Sequence, residues 1–170
     1  VTGHGWHAGT YGGCGDSHGD FGEQVDSQLD FHHDSAWNKG NVWATYSLEN
    51  LAYSGCYELL EWHPGGDDTC SRWLPRHAPV TVTHAHGEVQ LSVDQSVNGR
   101  QWNTMGHFYF DQGAGHLFAS NEGTTDCETN SCYWIADAFK LVNVSTDLCV
   151  IPSSPPPSSP SPPPLLPPSP

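Results

Sequence analysis

The stretch Val80-Thr81-Val82-Thr83-His84-Ala85-His86-Gly87-Glu88-Val89-Gln90-Leu91-Ser92-Val93 decides the fold class. Apolar and polar residues alternate through 80–84 and again through 88–93, the period of two that lays one face of a strand on a core. Ala85-His86-Gly87 between them is short enough for a hairpin turn, with glycine where the backbone is to take a positive φ. The pattern recurs along the chain. Further strands are read at 42–46, 57–62, 106–110, 116–120 and 133–142, bounded by Gly, Asn, Asp and Pro, and Asn98-Gly99 marks a second tight turn. Helical periodicity is nearly absent; residues 48–53 could form a helical turn, but residues 47–55 read rather as a loop that tucks Leu48 and Leu51 into the core. Seven or more short strands at near-regular spacing predict an all-β domain, a β-sandwich or jelly roll.

Composition divides the chain in two. Residues 152–170 hold 11 Pro, 6 Ser and 2 Leu, with neither charge nor aromatic ring. Such a segment has almost nothing to bury, and its prolines fix φ for a polyproline II tail, extending roughly 60 Å at about 3.1 Å per residue. Residues 1–151 hold every charge and every aromatic and only Pro64, Pro75 and Pro79, enough for one sizeable core. Up to about Asp30 this body is glycine-rich, and irregular structure held by Cys14 is expected there. The chain opens on Val1 with neither initiator Met nor signal peptide, as expected of a processed or partial product.

Nineteen acidic against five basic residues give a formal charge of −14. That balance disfavours nucleic acid and anionic membranes as partners, and no apolar run is long enough to insert in a bilayer. Six cysteines at 14, 56, 70, 127, 132 and 149 contain no CxxC pair, which argues against a zinc ribbon and for three disulfides made in an oxidising compartment. Local pairing predicts Cys56–Cys70 and Cys127–Cys132, leaving Cys14–Cys149 to tie the domain ends. Asn143-Val144-Ser145 is an N-glycosylation sequon, again pointing to a secreted glycoprotein.

Four groups could carry chemistry. His84-x-His86 would present two imidazoles on one face of a strand, but the turn at Gly87 breaks that geometry and spacing offers no third metal ligand. His32-His33-Asp34 reads as a surface loop, since adjacent residues of an extended chain point opposite ways. Asp16, Asp20, Glu23 and Asp26 form a glycine-rich acidic loop that could hold a structural Ca²⁺; otherwise no metal or cofactor is expected. Asp94 and Asp137 are the carboxylates in strand-like surroundings, where they are expected to accept backbone hydrogen bonds at turns. No nucleophile elbow occurs and the cysteines are committed, so the reading is of a non-enzyme. Among seven Trp, Trp62 and Trp134 are expected in the core, while Trp73, Trp102 and Trp37, with Trp6, are candidate contacts for sugar rings.

Several patches resemble one family. Gly55-Cys56-Tyr57-Glu58-Leu59-Leu60-Glu61-Trp62-His63-Pro64 is similar to the G-x-Y-E-V-x-x-W-x-P strand of the golvesin C-terminal-like domain. Val82-Thr83-His84-Ala85-His86-Gly87, Val93-Asp94-Gln95, Asn98-Gly99, Trp102, Gly106-x-Phe108-x-Phe110-x-x-Gly113 and Ala136-Asp137-Ala138-Phe139-x-Leu141 follow in the order of that family. The resemblance implies a galactose-binding-like β-sandwich, similar to the non-catalytic carbohydrate-binding-like module of xanthan lyases and usually appended to secreted or surface proteins. The six cysteines and the tail depart from the family pattern. So does the start, where Gly5-Trp6 echoes a family G-x-W that an earlier strand should precede, leaving an open sheet edge that a neighbouring copy or upstream residues of the same polypeptide could fill.

The tail resembles the hydroxyproline-rich glycoproteins of algal and plant walls, which implies covalent glycans on Pro155, Pro156, Pro157, Pro162, Pro163 and Pro164 as well as Asn143. Two functions follow. The first is an extracellular structural glycoprotein that self-assembles into a fibre, wall or appendage, with the tail as a glycosylated strut. The second is a non-catalytic carbohydrate-binding module tethered by its proline-rich segment.

Overall fold

The computed structural model describes residues 2–4, 7–8, 32–34, 36, 39–64, 71–129 and 131–149. Among them are strands β1 (Thr2–His4), β2 (His7–Ala8), β3 (His32–His33), β4 (Trp43–Ser47), β5 (Gly55–Trp62) and β6 (Ala78–His84). Beyond these come β7 (Gly87–Val93), β8 (Asn103–Phe110), β9 (His116–Ser120), β10 (Ile135–Ala136) and β11 (Ala138–Asn143). Two 3-10 turns, Ser71–Trp73 and Thr146–Leu148, are the described helical structure. The domain is an all-β sandwich. Residues 5–6, 9–31 and 152–170 lie outside the description, and with them Trp6, the acidic calcium-loop candidates and the proline tail.

One layer is a five-stranded sheet in the order β1-β4-β9-β6-β7, and the facing layer is β11-β5-β8. A third, small sheet has the order β10-β3-β2, and every pairing among the described strands is antiparallel. The 80–93 alternation forms its hairpin from Ala78↔Val93 to His84↔Gly87, with Gly87 at φ +124. Alternation also sorts the faces. Val80 and Val82 of β6, Leu117 and Ala119 of β9, and Tyr57 and Leu59 of β5 point inward and meet Phe110 and Trp134 in one core. Leu48 and Leu51 pack against that core from their loop.

The expected strand at 133–142 is two strands, because Asp137 breaks the ladder between β10 and β11. Trp134 is core at 1% exposure, whereas Trp62 stands on the outward side of β5 and is only half-buried. The edge of β4 is paired with β1.

His32-His33-Asp34 is no surface loop. His32 and His33 form β3 between β2 and β10, and Asp34 is buried at 2% exposure. Its Oδ1 accepts from the Ala36 and Trp134 amides, while its Oδ2 accepts from Lys39 Nζ (2.6 Å) and Asn121 Nδ2 (2.9 Å). Lys39 spends its other two hydrogens on Thr124 Oγ1 and the Cys132 carbonyl. Each charge is therefore paired and saturated, the condition under which ions are tolerated inside a protein.

The disulfides correct the expected connectivity. Cys56 is bonded to Cys149, across 93 residues, in place of both Cys56–Cys70 and Cys14–Cys149. The cause is strand pairing. β5 carries the chain away from Cys56, while antiparallel β11 returns to it; the Val144 amide bonds the Cys56 carbonyl, and the turn at 146–148 folds Cys149 onto it. Cys127 is bonded to Cys132. Cys14 and Cys70 lie outside the described residues.

Candidate functional site

The inward row of β5 changes character along its length. Tyr57 and Leu59 are apolar core, but the next inward positions are Glu61 and His63, still buried at 3% and 1%. They sit where the row leaves the core for the rim, beneath a turn at 97–100. Asn98 and Arg100 take the left-handed backbone there, at φ +57 and +62, so the Asn98-Gly99 turn bends at the residues flanking Gly99.

His63 locks this turn down. Its Nδ1 lies 2.5 Å from Glu61 Oε1, its Nε2 lies 3.0 Å from the Val97 carbonyl, and its own carbonyl accepts from the Arg100 amide. The ring thus bonds through both nitrogens, Nε2 to the Val97 carbonyl and Nδ1 to the Glu61 carboxyl. Asn103 Nδ2 adds bonds to Glu61 Oε2 (3.3 Å) and the Asn98 carbonyl (3.1 Å).

Above this pair lies a cleft of about 260 Å³ between the edge strands β7 and β8, one from each layer. Leu91, Val97 and Met105 supply its apolar surface, and Ser92, Asp94, Asn98, Asn103 and Thr104 its polar groups. Met105 is placed by a β-bulge, since Leu59 pairs with Gly106 but Leu60 with Thr104, leaving Met105 as the extra residue. Gly106 permits it at φ +149, where a Cβ would lie 3.1 Å from the Phe108 ring.

The cleft can bind, but its acid–base groups are engaged. Glu61 is held by His63 and Asn103. Asp94, exposed at the rim, accepts from the Ser96 amide (3.0 Å) and hydroxyl (2.6 Å) through Oδ1, the turn role expected of it. Asp137 lines a separate interior space of about 10 Å³ beside Trp134 and Phe139, so the two aspartates share no site. Near it, burial and then the charges of Asp137 and Glu61 hold the Tyr46 phenol well above the usual tyrosine range; its hydroxyl donates to the Asp137 carbonyl. By contrast, the Asn98 side-chain amide makes no hydrogen bond among the described residues and is exposed on the cleft, whereas Ser92 borders it from β7 with its side chain turned, like that of Gln90, to the outer face of the sheet.

The other sequence candidates lie elsewhere. Trp102, just before β8, has Lys140 Nζ 5.5 Å from its ring centroid. Trp73 meets Tyr133 edge-on at 6.3 Å, and Trp37 is outside the description. His84 and His86 are brought together, 6.0 Å between ring centroids, but they pack against Phe108 and Tyr109. Among the described residues no group of three or more His, Cys, Asp or Glu could hold a metal. Asn143 is exposed at the end of β11, with its amide nitrogen 3.4 Å from the Cys56 carbonyl. The residues that sequence reasoning missed are Ser92, Asn98, Asn103 and Met105. The turn signal at Asn98-Gly99 and the carboxylate Asp94, which borders the same cleft, pointed near them.

The Golvesin C-terminal domain family matches residues 16–143, well over half of the chain. Among solved structures the chain is similar to a xanthan lyase of Paenibacillus, at 30% sequence identity and a TM-score of 0.57. That match covers 67% of this chain and 10% of the lyase chain, so the protein spans a small part of that enzyme's length. No protein of curated function matches it.

Proposed function

Because the chain belongs to the Golvesin C-terminal domain family, we propose that it is a non-catalytic carbohydrate-binding module of an extracellular or surface protein, taking a sugar residue in the β7–β8 cleft. The cleft's chemistry carries the reading. An uncommitted side-chain amide at Asn98 lines the cleft together with apolar Leu91, Val97 and Met105, a match for a ring with hydroxyls on its edge and C–H groups on its face. At about 260 Å³ it falls just below the roughly 300–1,000 Å³ of ordinary ligand sites and suits one sugar ring. Glycoside hydrolysis needs two carboxyl groups across the scissile bond, one free to protonate. Here Glu61 is tied to His63 beneath the cleft and Asp94 to Ser96 at its rim. The paired cysteines support an oxidising compartment.

Calorimetry against soluble neutral monosaccharides and their short oligomers tests the proposal. Binding with no consumption of the sugar is expected, weakened at least tenfold in N98A. Turnover of any of them, or equal affinity in N98A, contradicts it.

A second reading, a fibre or wall subunit with residues 152–170 as a strut, is favoured by one feature. The Cys56–Cys149 bond fastens the chain to β5 just before the tail begins, so tension along the tail would load a sheet strand directly. Filaments in electron micrographs of the native material would support it, and dispersed single particles would contradict it.

A further inference from the structure

The outward face of the five-stranded sheet carries an unusual arrangement. Phe118 stands on β9, the middle strand, with its side chain turned away from the core and 37% exposed. Trp43 of β4 stacks with it at 6.1 Å and 27° between planes. The strand register sets short polar residues around the pair: Thr45, Phe118, Thr81 and Gln90 lie in one row across four strands, and Ser47, His116, Thr83 and Glu88 in the next. Ser120 opposite Trp43 extends the pattern. Among the described residues this face holds neither Lys nor Arg.

We infer that this face is a second binding platform, separate from the cleft, for an extended neutral polysaccharide chain. Aromatic rings standing on a sheet can stack on the C–H faces of successive sugars. Rows of Thr, Ser and Gln between them donate to and accept from ring hydroxyls without adding charge. An open sheet face accommodates a chain, where the cleft holds a single ring. Charge selects the occupant: in a protein of net charge −14, a face that among the described residues carries Glu88 but neither Lys nor Arg repels acidic polymers and second copies of the same chain, leaving neutral polymer favoured. The ligand class rests on the carbohydrate-binding reading above, but the surface and its residues do not.

Depletion of the full chain from solution by microcrystalline cellulose and by an insoluble neutral β-1,3-glucan reads this face. Wild type should bind at least one of them. F118A, which removes the central ring, and T81K, which places a long cation beside it without touching the core, should each bind at least tenfold more weakly. Tyr53→Ser, which removes an aromatic that is 75% exposed elsewhere, should bind as wild type does. Far-ultraviolet circular dichroism shows that each variant is folded, and F118A decides the matter if T81K is not. Wild type left wholly in solution, F118A binding undiminished, or wild type dimeric where F118A is monomeric would overturn the inference, the last by making the face a protein interface. Soluble monosaccharides titrate the cleft alone, so failure of that site and failure of this one are read separately.

Discussion

Replacing Cys56 and Cys149 together by serine is expected to cost more than losing the other described disulfide, Cys127–Cys132. The Cys56–Cys149 bond closes a loop with a sequence separation of 93. Loop-closure entropy removed from the unfolded chain then amounts to about 4.7 kcal/mol at 25 °C. For Cys127–Cys132, at a separation of 5, the same relation gives about 2 kcal/mol. A local Cys56–Cys70 bond would have contributed about 3 kcal/mol. Urea titrations followed by tryptophan fluorescence, at constant slope, would compare C56S/C149S with C127S/C132S. The first should lose about 4–5 kcal/mol, or fail to fold, and the second about 2 kcal/mol. C149S alone should lose as much as the double variant. A smaller loss for C56S/C149S than for C127S/C132S would refute the reasoning, as would a peptide map joining Cys56 to another cysteine.

Breaking the Glu61–His63 pair from either side should be severe, because E61A and H63A each strand a buried polar partner at about 3–5 kcal/mol. The double variant should cost clearly less than the sum, and losses additive to within about 0.5 kcal/mol would contradict the pairing. Burial, and then the charge of His86, hold His84 below its ordinary 6.5. The unfolded chain therefore takes up a proton that the folded chain resists, so this contribution is complete above about pH 6.5 and is lost as pH falls through the lowered folded value. Denaturation midpoints at pH 8 and pH 5.5 should separate more in wild type than in H84Q, and equal separations would contradict the assignment.

Sequence reading recovered what periodicity encodes. The alternation in 80–93 and in 116–120 names inward residues directly, because a strand repeats every two residues. It missed β1, β2 and β3, which are two or three residues long and rich in His and Gly, too short to show a period. It also missed contacts made by remote segments. Asp34 reads as surface until Asn121 and Trp134, 87 and 100 residues away, bring their donors to it. Local spacing misled for Cys56, since closing a long loop costs only logarithmically more than closing a short one and the β5–β11 pairing makes the long closure. One family patch, Val93-Asp94-Gln95, acquires a physical reason: Gln95 exchanges two hydrogen bonds with the Ile135 backbone, fixing the segment after β7 against β10. Trp102 and Trp73 drew notice as tryptophans, while Phe118 looked like one more apolar strand residue. Its exposure follows from facing the other way from Leu117, a parity that alternation implies once Leu117 is placed in the core.

The central claim is that the β7–β8 cleft holds a sugar and leaves it chemically unchanged. Titrating the isotopically labelled protein with soluble neutral monosaccharides and short oligosaccharides, recording amide shifts and sugar resonances together, tests it most directly. Saturable shifts are expected at Ser92, Asp94, Asn98, Asn103 and Thr104, with the sugar spectrum constant over days. Shifts confined to other residues, no shift with any sugar tried, or the appearance of cleaved or unsaturated products would contradict it.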